Sequence, residues 1–190
     1  MTEKNFLGDR EHSLEEEYFR RKDRELIERM RAVAAAEAAR KEMGKRSGIY
    51  DPELLKDLEA MGFTPETVVL LPLVPLVQVA WAEGGVSDPE RHLLIKLARA
   101  RGIDEGSAAD RQLAEWLTHR PADRVFVNAG RLIRAVLDTP GHEGLTADDV
   151  VKQAEAIAAA SGGMLGFIGR ISAEERAILT NLAAQLKNRA

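Results

Sequence analysis

Apolar residues recur at helical spacing along most of the chain, and no stretch alternates between apolar and polar residues as a strand would. The 28 alanines and 22 leucines, against nine aromatic residues, also favour helix. We therefore expect an all-α fold. The predicted helices cover residues 13–43, 52–61, 65–83, 88–101, 107–119, 122–138, 147–161 and 173–188.

Capping residues mark the predicted helix starts and ends. Ser13, Ser87 and Ser172 are each followed three residues later by a glutamate, the pattern of a capping box. Pro52 and Pro65 stand at first helical positions, where the missing N–H is no loss. Glycines in the left-handed conformation are expected to end helices at Gly44, Gly62, Gly84, Gly102 and Gly141.

The longest apolar stretch, VVLLPLVPLVQVAWA, covers residues 68 to 82. Its 15 residues fall short of the roughly 20 that span a bilayer, and Pro72 and Pro75 interrupt it. We therefore predict a bent helix buried in the core, and no transmembrane segment. The first residues lack the basic and apolar regions of a secretory signal, so a cytoplasmic location is expected.

The N-terminal segment differs from the rest because residues 1–46 contain 23 of the 58 charged residues. Its apolar positions form a narrow stripe on the predicted helix, comprising Phe19, Leu26, Ile27, Met30 and Val33. We predict a long charged helical arm over 1–46, a hinge at 44–48 and a helical domain over 50–190. A stripe this narrow suits a free arm as well as one packed along its own domain, and both interpretations stay open.

Charge and residue usage limit the chemistry. Twelve basic and eleven acidic residues nearly cancel in the segment 1–46, and the chain has a net charge of −4, which disfavours nucleic acid as a partner. The absence of cysteine excludes disulfides, thiolate metal sites and cysteine nucleophiles, and the four histidines lack ligand spacing. No nucleophile elbow, phosphate loop or dinucleotide fingerprint occurs. We expect no catalytic residue, no cofactor and no enzymatic activity.

An internal repeat appears when the sequence is shifted by 85 positions, which aligns residues 84–98 with residues 169–183. Seven of the 15 positions are identical: Gly84 and Gly169, Ser87 and Ser172, Glu90 and Glu175, Arg91 and Arg176, Leu94 and Leu179, Leu97 and Leu182, Ala98 and Ala183. We therefore predict a compact bundle of about seven helices, built from two pseudo-repeated helical hairpins and preceded by the charged helix.

Residues 82 to 90, AEGGVSDPE, resemble the signature of the TerB family, which is known from tellurite resistance and also occurs as modules of other proteins. The resemblance covers roughly residues 50 to 190 and implies an all-helical domain. Glu83 replaces the family's usual aspartate, and Ile168 stands at the equivalent place of the second copy. Suspected metal binding in the family implies Glu83, Asp88 and Glu90 as oxygen ligands for calcium or magnesium. Because capping already explains Glu90 and the second copy lacks the acid, we assign no metal ligand.

Residues 6 to 24, FLGDREHSLEEEYFRRKDR, resemble the inhibitory segment of the natural inhibitor proteins of F-type ATP synthases. The matching residues are Arg10, Glu11, Glu15, Glu16, Tyr18, Phe19 and Arg20. The resemblance implies a helix that enters a catalytic interface of the ATPase and blocks rotation. Leu7 stands nearest the family's phenylalanine, Glu17 occupies a usually basic place, and the dimerisation tail of the family is missing.

Together these patterns predict a non-catalytic interaction or regulatory protein whose N-terminal helix binds a protein partner. The sharper form of this hypothesis is inhibition of an F-type ATPase. The other interpretation of Tyr18 and Phe19 is that they dock on the chain's own domain or on a second copy in a homo-oligomer. The alternative from a different class is a stress or tellurite-resistance protein of the TerB type with a weak divalent metal site.

Overall fold

The computed structural model describes residues 3–137, 146–161 and 171–187, and within them it contains helices and no strand, which confirms the expected all-α class. The α-helices are α1 (Glu3–Ser47), α2 (Pro52–Ala60), α3 (Val74–Ala80), α4 (Asp88–Ala100), α5 (Ala108–Thr118), α6 (Asp123–Leu137), α7 (Ala147–Ser161) and α8 (Ala173–Lys187). A 3-10 helix, Val68–Leu73, precedes α3.

The chain divides into two compact units, Met1–Ala39 and Arg40–Ala190. The first unit contains most of α1. The second contains the last turns of α1 and all the other helices. Arg40, the first residue of the second unit, forms an ion pair of 2.8 Å with Glu59 at the end of α2.

Helix α3 lies at the centre of the second unit and contacts α4, α6, α7, α8 and the 3-10 helix. Every residue of α3 except Gln78 is buried. The other residues of α3 can all be apolar because neighbouring helices cover them. The prediction of a buried core segment is therefore confirmed, and none of the described helices is both long and apolar enough to cross a bilayer.

The prediction of one bent helix over residues 65–83 is wrong, because residues 65–67 form a turn and the 3-10 helix follows. Pro72 lies inside the 3-10 helix, while Pro75 stands in the first turn of α3. Each proline lacks the N–H that a continuous α-helix would need at its position. The segment therefore changes from 3-10 to α geometry between the two prolines.

Both predicted ends of the first helix are wrong. The helix begins at Glu3, so Ser13 lies inside it, and it ends at Ser47, three residues beyond Gly44. Gly48 adopts the left-handed conformation, with φ of 75°, and its N–H donates to the Gly44 carbonyl oxygen at 2.9 Å. Nothing in residues 3–12 forbids helix, since they contain no proline, so the Ser13 capping pattern does not act as a start. Gly141 is outside the described residues.

The capping boxes predicted at Ser87 and Ser172 are confirmed. The backbone N–H of Ser87 donates to Glu90 Oε2 at 2.8 Å, and that of Ser172 donates to Glu175 Oε2 at 2.7 Å. The reciprocal bonds run from the backbone N–H of each glutamate to the serine Oγ. Both glutamates are buried, Glu90 with 2% exposure and Glu175 with 1%, so each carboxylate caps a helix start in the interior of the protein.

A hydrogen bond between distant segments fixes the position of α5. Trp81 Nε1 donates to the backbone oxygen of Trp116 at 2.8 Å, and the Trp116 ring packs edge-on against Phe63 with ring centroids 5.8 Å apart. Arg91, from α4, donates to the backbone oxygen of Leu117 at 2.7 Å. The last turn of α5 is thus held by side chains from two other parts of the unit.

Candidate protein-binding site

All seven predicted partner-binding residues lie on α1. Ion pairs along the helix favour this conformation: Arg20 pairs with Glu16 at 3.2 Å, and Lys22 pairs with Glu25 at 3.3 Å. Exposed pairs of this kind contribute only tenths of a kcal/mol each, about 0.3–0.5 kcal/mol at this spacing. Arg10 and Glu11 belong to the same helix by their backbone, and their side chains are outside the described part.

Tyr18 and Phe19 form an adjacent aromatic pair on α1. Their ring centroids are 5.8 Å apart and their planes make an angle of 74°, an edge-to-face arrangement. The guanidinium of Arg21 and the ammonium of Lys22 each lie 5.8 Å from the Tyr18 ring centroid. Tyr18 remains 49% exposed and Phe19 62% exposed. Both aromatic rings are therefore accessible, and the two cations interact with the ring of Tyr18.

The exposed apolar surface continues along α1 beyond the aromatic pair. Leu26, Ile27, Met30 and Val33 are all exposed, with between 46% and 64% of each residue accessible. A shallow groove of about 330 Å³ runs over this part of the helix, lined by Arg29, Met30, Val33, Ala34 and Glu37. Large apolar side chains that are exposed together on one surface are typical of an interaction site.

Charge changes sign along the same stretch of α1. Glu15, Glu16 and Glu17 are acidic, whereas the next five residues after Phe19 contain four cations, namely Arg20, Arg21, Lys22 and Arg24. The aromatic pair lies at this change of sign. An acidic turn, two aromatic rings and a basic turn thus follow one another along α1, an order that distinguishes the two directions of the helix.

The acidic turn before α4 is arranged for capping. Burial raises the pKa of Glu90, hydrogen bonds from Ser87 lower it, and the charges of Glu175 and Glu83 raise it. The Glu90 carboxylate already accepts two bonds from Ser87, at 2.8 Å from the backbone N–H and 2.6 Å from the hydroxyl. Among the described residues, no group of three or more His, Cys, Asp or Glu side chains is placed to hold a metal ion, so Glu83, Asp88 and Glu90 do not form one.

The chain matches no protein-family model, no curated protein and no solved structure.

One surface of α6 was missed in the sequence. Arg124, Arg131 and Arg134 lie on the side of α6 opposite its buried residues, together with Val127, which is 71% exposed. The signal was present as arginine spacings of seven and three, which place residues on one face of a helix. The helix prediction for this segment used only its apolar residues, so the arginine spacing was not interpreted.

Proposed function

We propose that this protein is a non-catalytic regulatory protein that binds a protein partner through residues 15–33 of α1. The observation that carries the proposal is the exposure of six large apolar side chains on this one stretch of helix: Tyr18, Phe19, Leu26, Ile27, Met30 and Val33. Burying a side chain of this size contributes about 1.5–3 kcal/mol, so a partner that covers even half of the six gains substantial binding free energy.

The composition of the stretch supports a protein groove as the binding surface. Tyr18 and Phe19 are rigid aromatic anchors of the kind that dominate protein interfaces. Glu16 and Arg20, joined by an ion pair of 3.2 Å, frame the aromatic pair with opposite charges. Helices with apolar anchors and mixed charged flanks bind typically by laying one face into a partner's groove.

The sharper form of the proposal is that the partner is an F-type ATPase. Its support is the resemblance of Arg10, Glu11, Glu15, Glu16, Tyr18, Phe19 and Arg20 to the inhibitor-protein segment. In this form the helix enters a catalytic interface, the aromatic pair anchors it there, and the flanking charges set its register. The hydrolytic activity of the ATPase falls because rotation is blocked.

The test is a titration of the intact protein against ATP hydrolysis by the F-type ATPase of the source organism. The matched variants are Tyr18→Ala with Phe19→Ala, and as a control Tyr50→Ala, because Tyr50 is an aromatic residue of comparable exposure outside this stretch. We expect inhibition by the wild type and the control, and loss of inhibition by at least tenfold in concentration for the aromatic variant. Unchanged hydrolysis at a large excess of wild-type protein would exclude the ATPase.

A second measurement tests the wider proposal, that α1 binds a protein partner, without assuming that the partner is an ATPase. A photo-crosslinking amino acid at Ile27, which is 46% exposed, captures the partner in cells, and the adducts are identified by mass spectrometry. The proposal requires a defined protein adduct that disappears when Tyr18 and Phe19 are both alanine and persists in the Tyr50→Ala control. Adducts that are equal in all three proteins contradict it.

For the second unit we propose a TerB-like scaffold that contains a duplicated helical hairpin. Its support is that equivalent positions share their surroundings: Leu94 and Leu179 are both buried, as are Glu90 and Glu175. Each glutamate accepts a hydrogen bond from the backbone of the serine three residues earlier. Gly169, the first residue of the second copy, is outside the described residues.

A further inference from the structure

Helix α6 has two faces of different chemistry. Its buried face comprises Val125, Phe126, Ala129, Gly130, Leu132, Ile133 and Val136. Arg124, Val127, Arg131 and Arg134 share the opposite face, within an arc of roughly 80° at 100° per residue. The first and last of these arginines are ten residues apart, a rise of about 15 Å.

This arginine face, defined as Arg124, Val127, Arg131 and Arg134, concentrates positive charge in a chain of net charge −4. Asp57 of α2 pairs with Arg131, yet the Arg131 side chain keeps 57% of its accessible surface. All the basic residues of α6 are arginines, the cation that protein interfaces favour over lysine.

A groove of about 440 Å³ runs beside the arginine face, lined by Val127, Arg131, Arg134, Ala184 and Gln185. Helix α8 approaches α6 closely at Gly130, where Gln185 Oε1 lies against the position that a side chain would occupy. Val127, 71% exposed, supplies an apolar surface between the arginines. The groove is therefore lined by two apolar residues, Val127 and Ala184, and by the cationic Arg131 and Arg134.

We propose that the arginine face and its groove bind an acidic amphipathic helix of a partner protein. Carboxylates spaced seven residues apart on such a helix match Arg124 and Arg131, about 10.5 Å apart along α6. An apolar side chain between those carboxylates covers Val127. Guanidinium groups bind carboxylates through two parallel hydrogen bonds, so the pairing fixes the direction of the bound helix.

A phosphate backbone satisfies this surface less well than a helix does. Nucleic acid binding depends on neutralising several phosphates at once, whereas this face has three arginines, one of which is already paired with Asp57. Phosphates would also leave Val127 facing water, whereas a leucine of a partner helix removes it from water. This surface is independent of the N-terminal helix, so it stands or falls separately from the proposed function.

The test uses the full-length protein and a fluorescein-labelled helical peptide of glutamate, leucine and alanine, with glutamates at heptad spacing on one face. Binding is followed by fluorescence anisotropy. We expect the double variant Arg124→Gln, Arg131→Gln to bind the peptide at least tenfold more weakly than the wild type. The double variant Lys96→Gln, Lys152→Gln changes the net charge equally at exposed lysines of α4 and α7 and is expected to bind as the wild type does.

A second variant keeps the proposal testable if the arginine variant loses its fold, which circular dichroism would reveal. Val127→Glu adds a repelling carboxylate at a 71% exposed position and leaves the Asp57 pair intact, and we expect the same loss of peptide binding. The proposal is overturned if the lysine control loses as much affinity as the arginine variant, or if a glutamine version of the peptide binds equally well. Tighter binding of single-stranded DNA or phosphatidylserine vesicles than of the peptide also overturns it.

Discussion

The hydroxyl of Ser87 donates a 2.6 Å hydrogen bond to the Glu90 carboxylate, which is only 2% exposed. The same carboxylate oxygen accepts the backbone N–H of Ser87 at 2.8 Å. A carboxylate this deep in the protein needs such donors, because an ionised group without partners is costly to bury. Ser87 thus caps the start of α4 and also donates the hydrogen bonds that the buried Glu90 carboxylate needs.

Replacing Ser87 by alanine removes the cap and one of the two donors to Glu90. We expect Ser87→Ala to lower the free energy of unfolding by about 1–3 kcal/mol. The measurement is urea unfolding followed by circular dichroism. Thr118→Ala is the control, because the Thr118 hydroxyl only donates to a carbonyl of its own helix at an exposed site, and its effect is expected to stay within about 0.5 kcal/mol. Equal effects of the two substitutions would refute this role of Ser87.

The stability of the protein is expected to depend on pH through Glu90. Burial raises the Glu90 pKa above 4.5, so the folded state binds the proton more tightly than the unfolded state. The unfolding free energy of the wild type, relative to Glu90→Gln, therefore decreases as the pH rises from 4.5 through the folded pKa, and is constant above it. Unfolding of both proteins over this pH range provides the difference.

Glu66 is the control of opposite sign for the pH experiment. A hydrogen bond from Thr64 lowers the pKa of Glu66 below 4.5. The stability that Glu66 contributes, measured against Glu66→Gln, is present above pH 4.5 and is lost as the pH falls through the folded pKa. A Glu90 difference curve with the same direction as the Glu66 curve would show that burial does not dominate at Glu90.

Two leucine substitutions test the assignment of core and surface. Leu76 of α3 is fully buried and Leu26 of α1 is 56% exposed. We expect Leu76→Ala to lower the unfolding free energy by about 2–5 kcal/mol, because it leaves a cavity among packed helices. The same chemical change at Leu26 is expected to cost about 0.5 kcal/mol or less. A large loss at Leu26 would mean that this side chain is covered in solution.

Asp57→Asn is expected to strengthen binding of the acidic peptide, because it removes the carboxylate that competes for Arg131. The affinity is expected to rise roughly twofold to fivefold at low salt, and the gain should shrink as the ionic strength increases. Stability should change by less than about 1 kcal/mol, since the pair is exposed. Anisotropy titrations at two salt concentrations measure both effects. Weaker peptide binding by Asp57→Asn contradicts the docking proposal.

Sequence patterns predicted the helices where the chemistry acts locally. The caps at Ser87 and Ser172 and the proline start at Pro52 depend on residues only three positions apart, and all were correct. The first helix was placed less well, since Ser13 can cap a helix only if the preceding residues leave the helical conformation. Whether they do is decided by those residues, and Ser13 itself carries no information about it.

For the candidate site, too, the sequence predicted only what depends on a local pattern. The apolar stripe that includes Phe19 and Met30 was visible in the sequence as a spacing pattern. Its exposure was not predictable, because an exposed stripe and a buried stripe have the same periodicity. The ion pair between Asp57 and Arg131 joins residues 74 positions apart, and no local pattern indicates such a contact.

The hydrogen bond between Trp81 and Trp116 has a practical consequence for spectroscopy. These are the two tryptophans of the chain, and both belong to the unit Arg40–Ala190. Intrinsic tryptophan emission therefore reports the melting of that unit, while far-ultraviolet circular dichroism also registers the turns of α1 before Arg40. Comparing the two signals in one thermal scan separates the transitions of the two units in the unmodified protein, without truncating either.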